Sequence, residues 1–411
     1  MGMISGCRVC AGVELDEIIN LGNQPLSGVF PKSASDSISA GELQLMRCAN
    51  CGLVQLGQNF PMNEMYGENY GYRSGLNVMM VEHLTRTARG LLRRVELDSS
   101  DIICDIGSND GTFLNNFTKK SLVLIGIDPS AEKYRSFYSQ EVQIVSDFFT
   151  AEQYFKTNSQ KAKIVTSLAM FYDLESPVAF AKDVNQILAE DGHWVIEMSY
   201  SPWMQYSGAY DTICHEHLEY YSLSDLIRIL DQAGFYVQDV STNSINGGSL
   251  TVFARKHSRE SRNPPGEHFH WLLKQENLNQ VNTLESWVKF SNTVRSRRDA
   301  LKSLILEIVS SGKSIYALGA STKGNVLLSY SEIGTTQIPM IGEVNPYKYG
   351  RLTPGTHIPI VPEEQILELN PDYLLFLPWH FRENALAKYA GYLAGGGKFI
   401  FPLPSVEVLG Y

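Results

Sequence analysis

The spacing of four cysteines is typical of a metal site. Each C-x-x-C pair places two thiolates on one tight turn, and two such turns complete a tetrahedral four-sulfur site. The pairs are Cys7 with Cys10 and Cys48 with Cys51. Four thiolates leave no coordination position open for a substrate or a water molecule, so we predict a structural zinc ion, not a catalytic one.

A dense cluster of ionisable side chains lies in the middle of the chain, at 210–222. Its centre is the run His-Glu-His at 215–217. Histidine titrates near neutral pH, so a histidine beside a glutamate suits proton abstraction. A His-x-His pair could instead hold a metal, and a single histidine could simply pack at a helix start. The helix that follows is marked by Ser222 as N-cap and Asp225 three residues later.

Two glycines and an acid indicate a ligand site next to a buried strand. The strand at 102–107 runs into a turn in which Gly107 and Gly111 let the backbone approach a ligand closely. The next strand, at 122–128, ends in Asp128, which could accept hydrogen bonds from both hydroxyls of a ribose. The turn reads D-x-G-x-x-x-G, whereas a dinucleotide fold would want G-x-G-x-x-G.

The elements around these residues predict an α/β fold. Strands alternate with helical stretches from residue 102 to about residue 200, which is typical of a parallel, doubly wound sheet. Strands at 235–240 and 249–254 predict a hairpin that closes this sheet. After a break at 264–266, a helix with apolar residues at helical spacing precedes a second, small α/β unit with its own glycine-rich turn at 319–325.

Composition excludes several classes of protein. The chain has 411 residues, and its 44 acidic against 34 basic side chains give a net charge of −10. A general nucleic-acid binder should carry an excess of basic charge. No apolar run approaches the roughly 20 residues that span a bilayer, and the N-terminus lacks the pattern of a signal peptide. We therefore expect a cytoplasmic protein with neither a nucleic-acid nor a membrane partner.

The chain resembles the sugar-nucleotide C-methyltransferases of deoxysugar biosynthesis over nearly its whole length. The motifs that carry the resemblance are the paired C-x-x-C, the turn at 105–111, His-Glu-His at 215–217 before Tyr221-Ser222, Asn-Gly-Gly-Ser at 246–249 and Gly-Ala-Ser-Thr-Lys-Gly-Asn at 319–325. The resemblance implies a class I, Rossmann-like methyltransferase domain with S-adenosylmethionine as cofactor. It also implies methyl transfer to a carbon next to the ketone of a nucleotide-linked 4-keto sugar, through an enolate.

The resemblance also implies roles for individual residues. His217 would be the base, Glu216 would orient or polarise, and Tyr72 or Tyr70 would stabilise the enolate oxygen, with His215 and Tyr172 as further catalytic candidates. The expected cofactor-binding residues are Asp105, Gly107, Asn109, Gly111, Asp128 for the ribose and Asp147 for the adenine. The expected substrate-binding residues are Tyr221, Asn246, Lys323, Asn325, Lys348 and Arg351.

Two positions depart from the family pattern. Cys214 stands where the family has a tyrosine. The loop after the fourth strand carries Tyr172, whereas the family often has a histidine in that loop. Either Tyr172 takes over a hydroxyl role or the proton follows a different route.

The expected domain organisation has three parts. We predict a zinc-binding domain at 1–78, a methyltransferase domain at 79–260, and a linker helix with a sugar-nucleotide-binding α/β domain at 261–411. The expected partner is a nucleoside diphosphate sugar, and the protein would be a monomer or a homodimer. Two alternatives remain at this point: an O-methyltransferase acting on a small glycoside, and a non-catalytic nucleotide-sugar binding module.

Overall fold

Three large β-sheets organise the chain. The computed structural model describes residues 2–66, 71–118, 121–257 and 265–410, so the predicted domain boundary at 260 lies outside the described residues. Within these ranges, no helix combines the length and the apolar character that crossing a membrane requires.

The N-terminal segment is mainly antiparallel β-structure. Its elements are β1 (Gly2–Met3), β2 (Leu15–Pro25), β3 (Ala40–Cys48), β4 (Val54–Leu56), β5 (Gln58–Asn59) and α1 (Met62–Met65). Strands β2, β3 and β4 pair in sequence order, and β1 pairs with β5. The zinc-ligand pairs lie before β2 and around the end of β3, so the sheet brings them together.

The middle segment forms the predicted doubly wound sheet. Its helices are α2 (Val78–Arg94), α3 (Ala151–Thr157), α4 (Pro177–Ile187), α5 (Ser201–Ser207) and α6 (Leu223–Gln232). Its strands are β6 (Ile102–Ile106), β7 (Val123–Ile127), β8 (Val142–Val145), β9 (Ala162–Leu168), β10 (Leu188–Ser199), β11 (Glu219–Tyr220), β12 (Phe235–Asn243) and β13 (Ser249–Lys256). The strand order is β12-β13-β10-β9-β6-β7-β8, with β13 antiparallel to both neighbours. The predicted closing hairpin is therefore confirmed.

The order of this sheet fixes where a ligand can bind. Strand β6 pairs with β7 on one side and β9 on the other, both in parallel. From β6, the chain first adds β7 and β8 on one side of the sheet and then adds β9 and β10 on the other side. At such a point, open α/β sheets bind ligands beyond the carboxyl ends of the strands. The turn after β6 and the acid after β7 therefore face one crevice.

Strand β11 belongs to a different sheet from its sequence neighbours. It pairs with β4, so that the N-terminal sheet has the order β11-β4-β3-β2. The polar cluster predicted at 210–222 thus ends as the edge strand of the N-terminal sheet. Sequence spacing did not predict this pairing, because more than 160 residues separate the two strands.

The C-terminal segment contains the predicted second α/β unit. Its helices are α7 (Glu267–Leu278), α8 (Leu284–Ser310), α9 (Thr322–Tyr330), α10 (Glu363–Glu368), α11 (Arg382–Lys388) and α12 (Ala390–Ala394). Its strands are β14 (Ile315–Leu318), β15 (Ile341–Glu343), β16 (Ile360–Pro362), β17 (Tyr373–Phe376), β18 (Lys398–Phe401) and β19 (Glu407–Leu409), in the order β16-β15-β14-β17-β18-β19. Helix α8 carries the predicted apolar stripe; α7 was not predicted.

The hydrophobic cores cross the boundaries between these segments. One cluster joins buried residues of the N-terminal sheet and of the C-terminal unit with Tyr210, Ile213, Cys214, Leu218 and Tyr220. These five residues flank the His-Glu-His run. The polar cluster is therefore anchored by apolar side chains where the three parts of the chain meet.

We predict that Gly111→Ala lowers the free energy of unfolding. Gly111 has a φ of +75°, and an added Cβ would lie 2.5 Å from the Tyr138 ring. A strained backbone conformation of this kind costs roughly 1–3 kcal/mol. The matched control is Gly90→Ala, in the interior of α2, where an added Cβ meets nothing within 4 Å. Urea unfolding should show that Gly90→Ala raises the free energy of unfolding by about 1 kcal/mol. Equal stability of the two variants would contradict this account of the turn.

Candidate active site

The four predicted zinc ligands meet in one cluster. Their sulfur atoms all lie within 4.8 Å of one another, with 3.6 Å between Cys7 and Cys51 and 3.5 Å between Cys10 and Cys48. A tetrahedral zinc ion with Zn–S bonds of about 2.3 Å requires sulfur separations of about 3.8 Å. The Asn50 side chain donates a hydrogen bond to the Cys10 sulfur. The four cysteines therefore fit a zinc ion.

The turn after β6 lies close to other side chains. Gly107 has a φ of +79°, and an added Cβ would lie 2.8 Å from the Met170 side chain. The backbone N–H of Asn109 donates to Asp128 Oδ2 over 2.9 Å. Asp105 is buried, and burial raises the pKa of its carboxyl. A hydrogen bond from Thr166 partly offsets this effect, and the resulting pKa is about 7. The turn and the acid of the next strand are thus physically joined.

The two candidate acids for the cofactor differ in their surroundings. Asp128 is buried, and its Oδ1 accepts hydrogen bonds from the backbone and the side chain of Ser130 at 2.7 and 2.6 Å. Asp147 follows β8, is exposed, and accepts a hydrogen bond from Gln153 at 2.7 Å. Both carboxylates lie beyond the carboxyl ends of neighbouring parallel strands.

Residues 71–76, which we name the strap, cross the turn after β6. Asn109 Oδ1 accepts from the backbone of Ser74, and Asn109 Nδ2 donates to the carbonyl of Tyr72. Asp110 Oδ2 accepts from the backbone of Gly75. The Tyr72 residue remains 47% exposed, whereas Tyr70 lies outside the described residues. The Asn109 side chain is thus engaged by the strap.

His217 has one ring nitrogen fixed, and the other has no partner among the residues that the structure describes. Its Nδ1 lies 2.9 Å from the carbonyl oxygen of Thr212. A carbonyl can only accept, so Nδ1 carries the proton and Nε2 has the lone pair. Nε2 makes no hydrogen bond with the described residues. The Tyr172 ring packs edge-on against the imidazole, with 4.3 Å between centroids.

The surroundings keep His217 neutral. Burial, and to a smaller extent the positive charge of Lys323, lower the pKa of its imidazole to about 3. The unfolded chain would take up a proton near the ordinary pKa of 6.5, so this histidine weakens the fold as the pH falls from 6.5 towards 3. At neutral pH the imidazole is therefore unprotonated at Nε2.

His215 is tied to the N-terminal segment by both ring nitrogens. Its Nε2 donates to the carbonyl of Gln24 at 3.1 Å, and its Nδ1 accepts from Ser27. The ring is fully buried against Phe60. Burial lowers its pKa to about 4. These contacts are those of a packed histidine that orients the chain.

Glu216 faces the same N-terminal residues. Its Oε2 lies 3.5 Å from the hydroxyl of Ser27, and a Cβ added to Gly28 would lie 2.3 Å from its Oε1. Burial raises the pKa of the carboxyl, and hydrogen bonds from Cys214 and Ser27 lower it. Cys214 itself is buried in the apolar core that surrounds this segment.

The carboxyl edge of the C-terminal sheet faces the site. Lys323, at the start of α9, donates to the carbonyl of Asn246 in the hairpin loop, and Asn325 donates to the carbonyl of Ser27. Lys348 donates to the carbonyl of Ala320 and lies over the Phe30 ring, and Arg351 donates to the Phe30 carbonyl. Four predicted substrate residues thus connect the C-terminal unit to 27–30 or to the hairpin loop.

Tyr221 is 1% exposed and packs against Phe171 in the core.

The sequence analysis did not predict the buried pair of Glu197 and His83 beside the site. Glu197, near the end of β10, has its Oε1 2.6 Å from His83 Nε2, and its Oε2 accepts from Asn243 and Thr251. The only signal was an acid at the end of a predicted strand. A histidine in the middle of helix α2 gave none.

A second buried acid was also missed. Asp211 Oδ2 accepts a hydrogen bond from the indole of Trp379, which follows β17 in the C-terminal unit. Burial raises the pKa of this carboxyl, and Lys323 lowers it. Asp211 and Trp379 therefore form a second link between the middle and C-terminal units.

Three family models match successive parts of the chain. They are described as "Putative zinc binding domain" at 7–66, "Methyltransferase domain" at 80–240 and "C-methyltransferase C-terminal domain" at 244–404. The chain is also 27% identical over 412 residues to the C-methyltransferase NovU of Streptomyces niveus, covering 99% of this chain and 97% of that protein. Together, the matched domains and this relative show that the chain is a C-methyltransferase with an N-terminal zinc-binding domain. S-Adenosylmethionine is the methyl donor of this C-methyltransferase, and its four-cysteine site holds a structural zinc ion.

Solved structures resemble the C-methyltransferase only in part. A complex of the Haloferax volcanii Trm112 methyltransferase activator with a methyltransferase matches at a TM-score of 0.35 and 16% identity, covering 44% of this chain and 93% of that chain. The mitomycin 7-O-methyltransferase MmcR matches at 0.35 and 14% identity, covering 44% of this chain and 54% of that chain. Scores this low support no inference about the site.

We predict that Cys48→Ser abolishes zinc binding and yields unstable C-methyltransferase. Zinc binding to a four-ligand site can supply about 10–16 kcal/mol to a small fold. The control is Cys104→Ala, a buried cysteine in β6 that is not part of the cluster. Elemental analysis should find one zinc per chain in the wild type and in this control. Metal-free wild-type protein, or one zinc per chain in Cys48→Ser, would rule the site out.

We predict that Asp128→Ala weakens the binding of S-adenosylhomocysteine by about 10–100-fold, as expected for the loss of a charge-assisted hydrogen bond. The control is Asp98→Ala, which removes an exposed carboxylate before β6. Calorimetric titration measures both affinities, and thermal unfolding checks that both variants are folded. An unchanged affinity in Asp128→Ala would refute the assignment.

Proposed function

We propose that this C-methyltransferase methylates a nucleotide-linked 4-keto deoxysugar at a carbon alpha to the ketone. The proposal is supported by the resemblance of its motifs to the sugar-nucleotide C-methyltransferases. A C–H bond next to a ketone is acidic enough for a positioned base to remove. The chain therefore has to supply a base, a stabiliser for the enolate oxygen and a site for the nucleotide.

The observation that carries the proposal is the state of His217. Its Nδ1 proton is held by the Thr212 carbonyl, so its lone pair at Nε2 is available to take a proton. In the proposed step, Nε2 takes the alpha proton and the C–H electron pair delocalises onto the ketone oxygen. We propose that the resulting enolate oxygen accepts a hydrogen bond from Tyr72 or from Tyr70, two positions earlier in the sequence.

Lys323 connects binding of the substrate to the strength of this base. Its positive charge lowers the pKa of the His217 imidazole, which makes the imidazole a weaker base. A diphosphate beside Lys323 offsets that charge and raises the pKa of His217. The base therefore becomes stronger when an anionic substrate is in place, which favours proton abstraction from the correct substrate over solvent exchange.

The methyl donor occupies the crevice beyond β6 and β7 in this proposal. When bound, S-adenosylmethionine would supply an electrophilic methyl group to the enolate carbon and leave as the thioether. Gly107 and Gly111 would shape the turn that faces the donor, and Asp128 would bind its ribose. Asp105 and Asn109 support the turn, and Asp147 lies at the strand end proposed for the adenine.

The nucleotide would lie along the carboxyl edge of the C-terminal sheet. The N-terminal turn of α9 presents backbone N–H groups, and Ser321 caps it through the N–H of Gly324. Such groups together with Lys323 suit a diphosphate. Glu216 is proposed to orient the sugar from the N-terminal side.

A cytoplasmic location remains part of the proposal. The four zinc ligands have to be reduced cysteines, and a reducing compartment keeps cysteines in that state.

We predict that His217→Ala lowers kcat by about 10²–10⁴-fold, the usual contribution of a general base. Affinity for S-adenosylhomocysteine should be unchanged, because His217 is not proposed to contact the adenosine. The control is His257→Ala, at the far end of the closing hairpin, where the imidazole pairs with Asp231. Its kcat should match that of the wild type.

The product identifies the reaction. Incubation with a methyl-¹³C donor and a nucleotide-linked 4-keto deoxysugar should give a ¹³C methyl signal coupled to a ring carbon, with loss of that carbon's hydrogen. A methyl bonded to oxygen would indicate an O-methyltransferase instead. Full activity of His217→Ala would remove His217 from the mechanism.

A further inference from the structure

The segment that carries His217 continues directly into the zinc-domain sheet. Glu219 pairs with Gln55 and Tyr220 with Val54 across strands β11 and β4, and the N–H of Leu56 donates to the carbonyl of Leu218 at 2.8 Å. Only Leu218 separates His217 from this strand. Strand β4 begins three residues after the zinc ligand Cys51.

A buried arginine lies inside the first zinc knuckle. Arg8 stands between Cys7 and Cys10, and its side chain is 3% exposed. Its guanidinium donates to the carbonyls of Leu56 and Gln58 at 2.7 and 3.0 Å. These bonds join the first knuckle to the end of β4 and to β5.

The same guanidinium faces Glu219. The Nε of Arg8 lies 3.6 Å from Glu219 Oε1, and the Glu219 side chain is fully buried. Among the described residues, no hydrogen bond to either carboxylate oxygen meets normal geometric limits. A nearby opposite charge stabilises a buried acidic side chain. Arg8 supplies that charge.

Glu219 also shares a small cavity with the proposed base. Glu219 and His217 line one small cavity together with Tyr172, Thr212 and Tyr220. Thr212 is the residue whose carbonyl fixes Nδ1 of His217. A displacement of Glu219 would therefore change the wall against which the imidazole is oriented.

We propose that Arg8 and Glu219 are positioning residues, through which the zinc knuckle fixes the orientation of His217. The inference rests on the proposed function for the role of His217 as base. It gives the zinc domain a part in catalysis beyond stabilising its own fold. A shift of about 1 Å in a reacting group can cost about 100-fold in rate, so a small loss of order here should be measurable.

The test uses two substitutions and one matched control. Glu219→Gln keeps the size of the side chain and removes its charge, and Arg8→Gln removes the guanidinium. The control is Arg47→Gln: Arg47 is also next to a zinc ligand, but it contacts Asp16 and the carbonyl of Asn282 instead of the His217 segment. For the first two variants we expect kcat to fall about 10–100-fold, with one zinc per chain and unchanged S-adenosylhomocysteine affinity. The control should keep the wild-type kcat.

A spectroscopic readout separates positioning from other causes. Protein labelled with ¹⁵N-histidine gives ring nitrogen signals, and the His217 signal is assigned by its absence in His217→Ala. We expect Glu219→Gln and Arg8→Gln to move this signal, and Arg47→Gln to leave it in place. This readout does not require His217 to be the base.

Several results would overturn the inference. The first is a wild-type kcat in Glu219→Gln, and the second is a fall in kcat while the His217 signal stays in place. The third is loss of zinc or of the fold in Glu219→Gln, which would show that the pair is a folding contact only. If Arg8→Gln fails to fold, Glu219→Gln decides alone. If His217→Ala is fully active while Glu219→Gln moves the His217 signal, the proposed base is wrong but the positioning contact stands.

Discussion

The structure depends on the burial of one polar segment, residues 210–222, between three sheets. Buried polar groups need partners, and several polar groups of this segment have theirs in neighbouring parts of the chain. His215 bonds to the Gln24 carbonyl in the N-terminal sheet, and Asp211 bonds to Trp379 in the C-terminal unit. Ser222 caps α6 in the middle domain together with Asp225. The segment can therefore adopt its conformation only when all three parts are folded together.

Burial also sets the electrostatics of the site. It raises the pKa of the carboxyls of Asp173 and Glu216 and lowers the pKa of the imidazoles of His215 and His380. Such an environment favours the neutral forms of these groups. In a buried site, each hydrogen bond or charge directed at a reacting group contributes more than it would in water.

Much of the architecture could be predicted from sequence because its signals are local. The zinc site follows from two C-x-x-C pairs, the doubly wound sheet from alternating strands and helices, and the start of α6 from a capping box at Ser222. Each of these signals spans a short stretch of chain or repeats a known spacing.

The contacts that position the site could not be predicted in the same way. The pairing of β11 with β4, the bonds from His215 to 24–27 and the His83–Glu197 pair join residues that are more than 100 positions apart. Composition and periodicity carry no information about such distances. Three adjacent ionisable residues at 215–217 looked alike in sequence, yet the fold holds His215 by both nitrogens and leaves Nε2 of His217 without a partner among the described residues.

The most direct test of the account is a crystal structure of the zinc-loaded protein with S-adenosylhomocysteine and a nucleotide-linked 4-keto deoxysugar. The account predicts that the carbon alpha to the ketone lies between the cofactor sulfur and Nε2 of His217, within about 3–3.5 Å of that nitrogen. The diphosphate should lie at the start of α9 beside Lys323. A sugar bound with its ketone directed away from His217, or a nucleotide bound elsewhere than the edge of the C-terminal sheet, would contradict it.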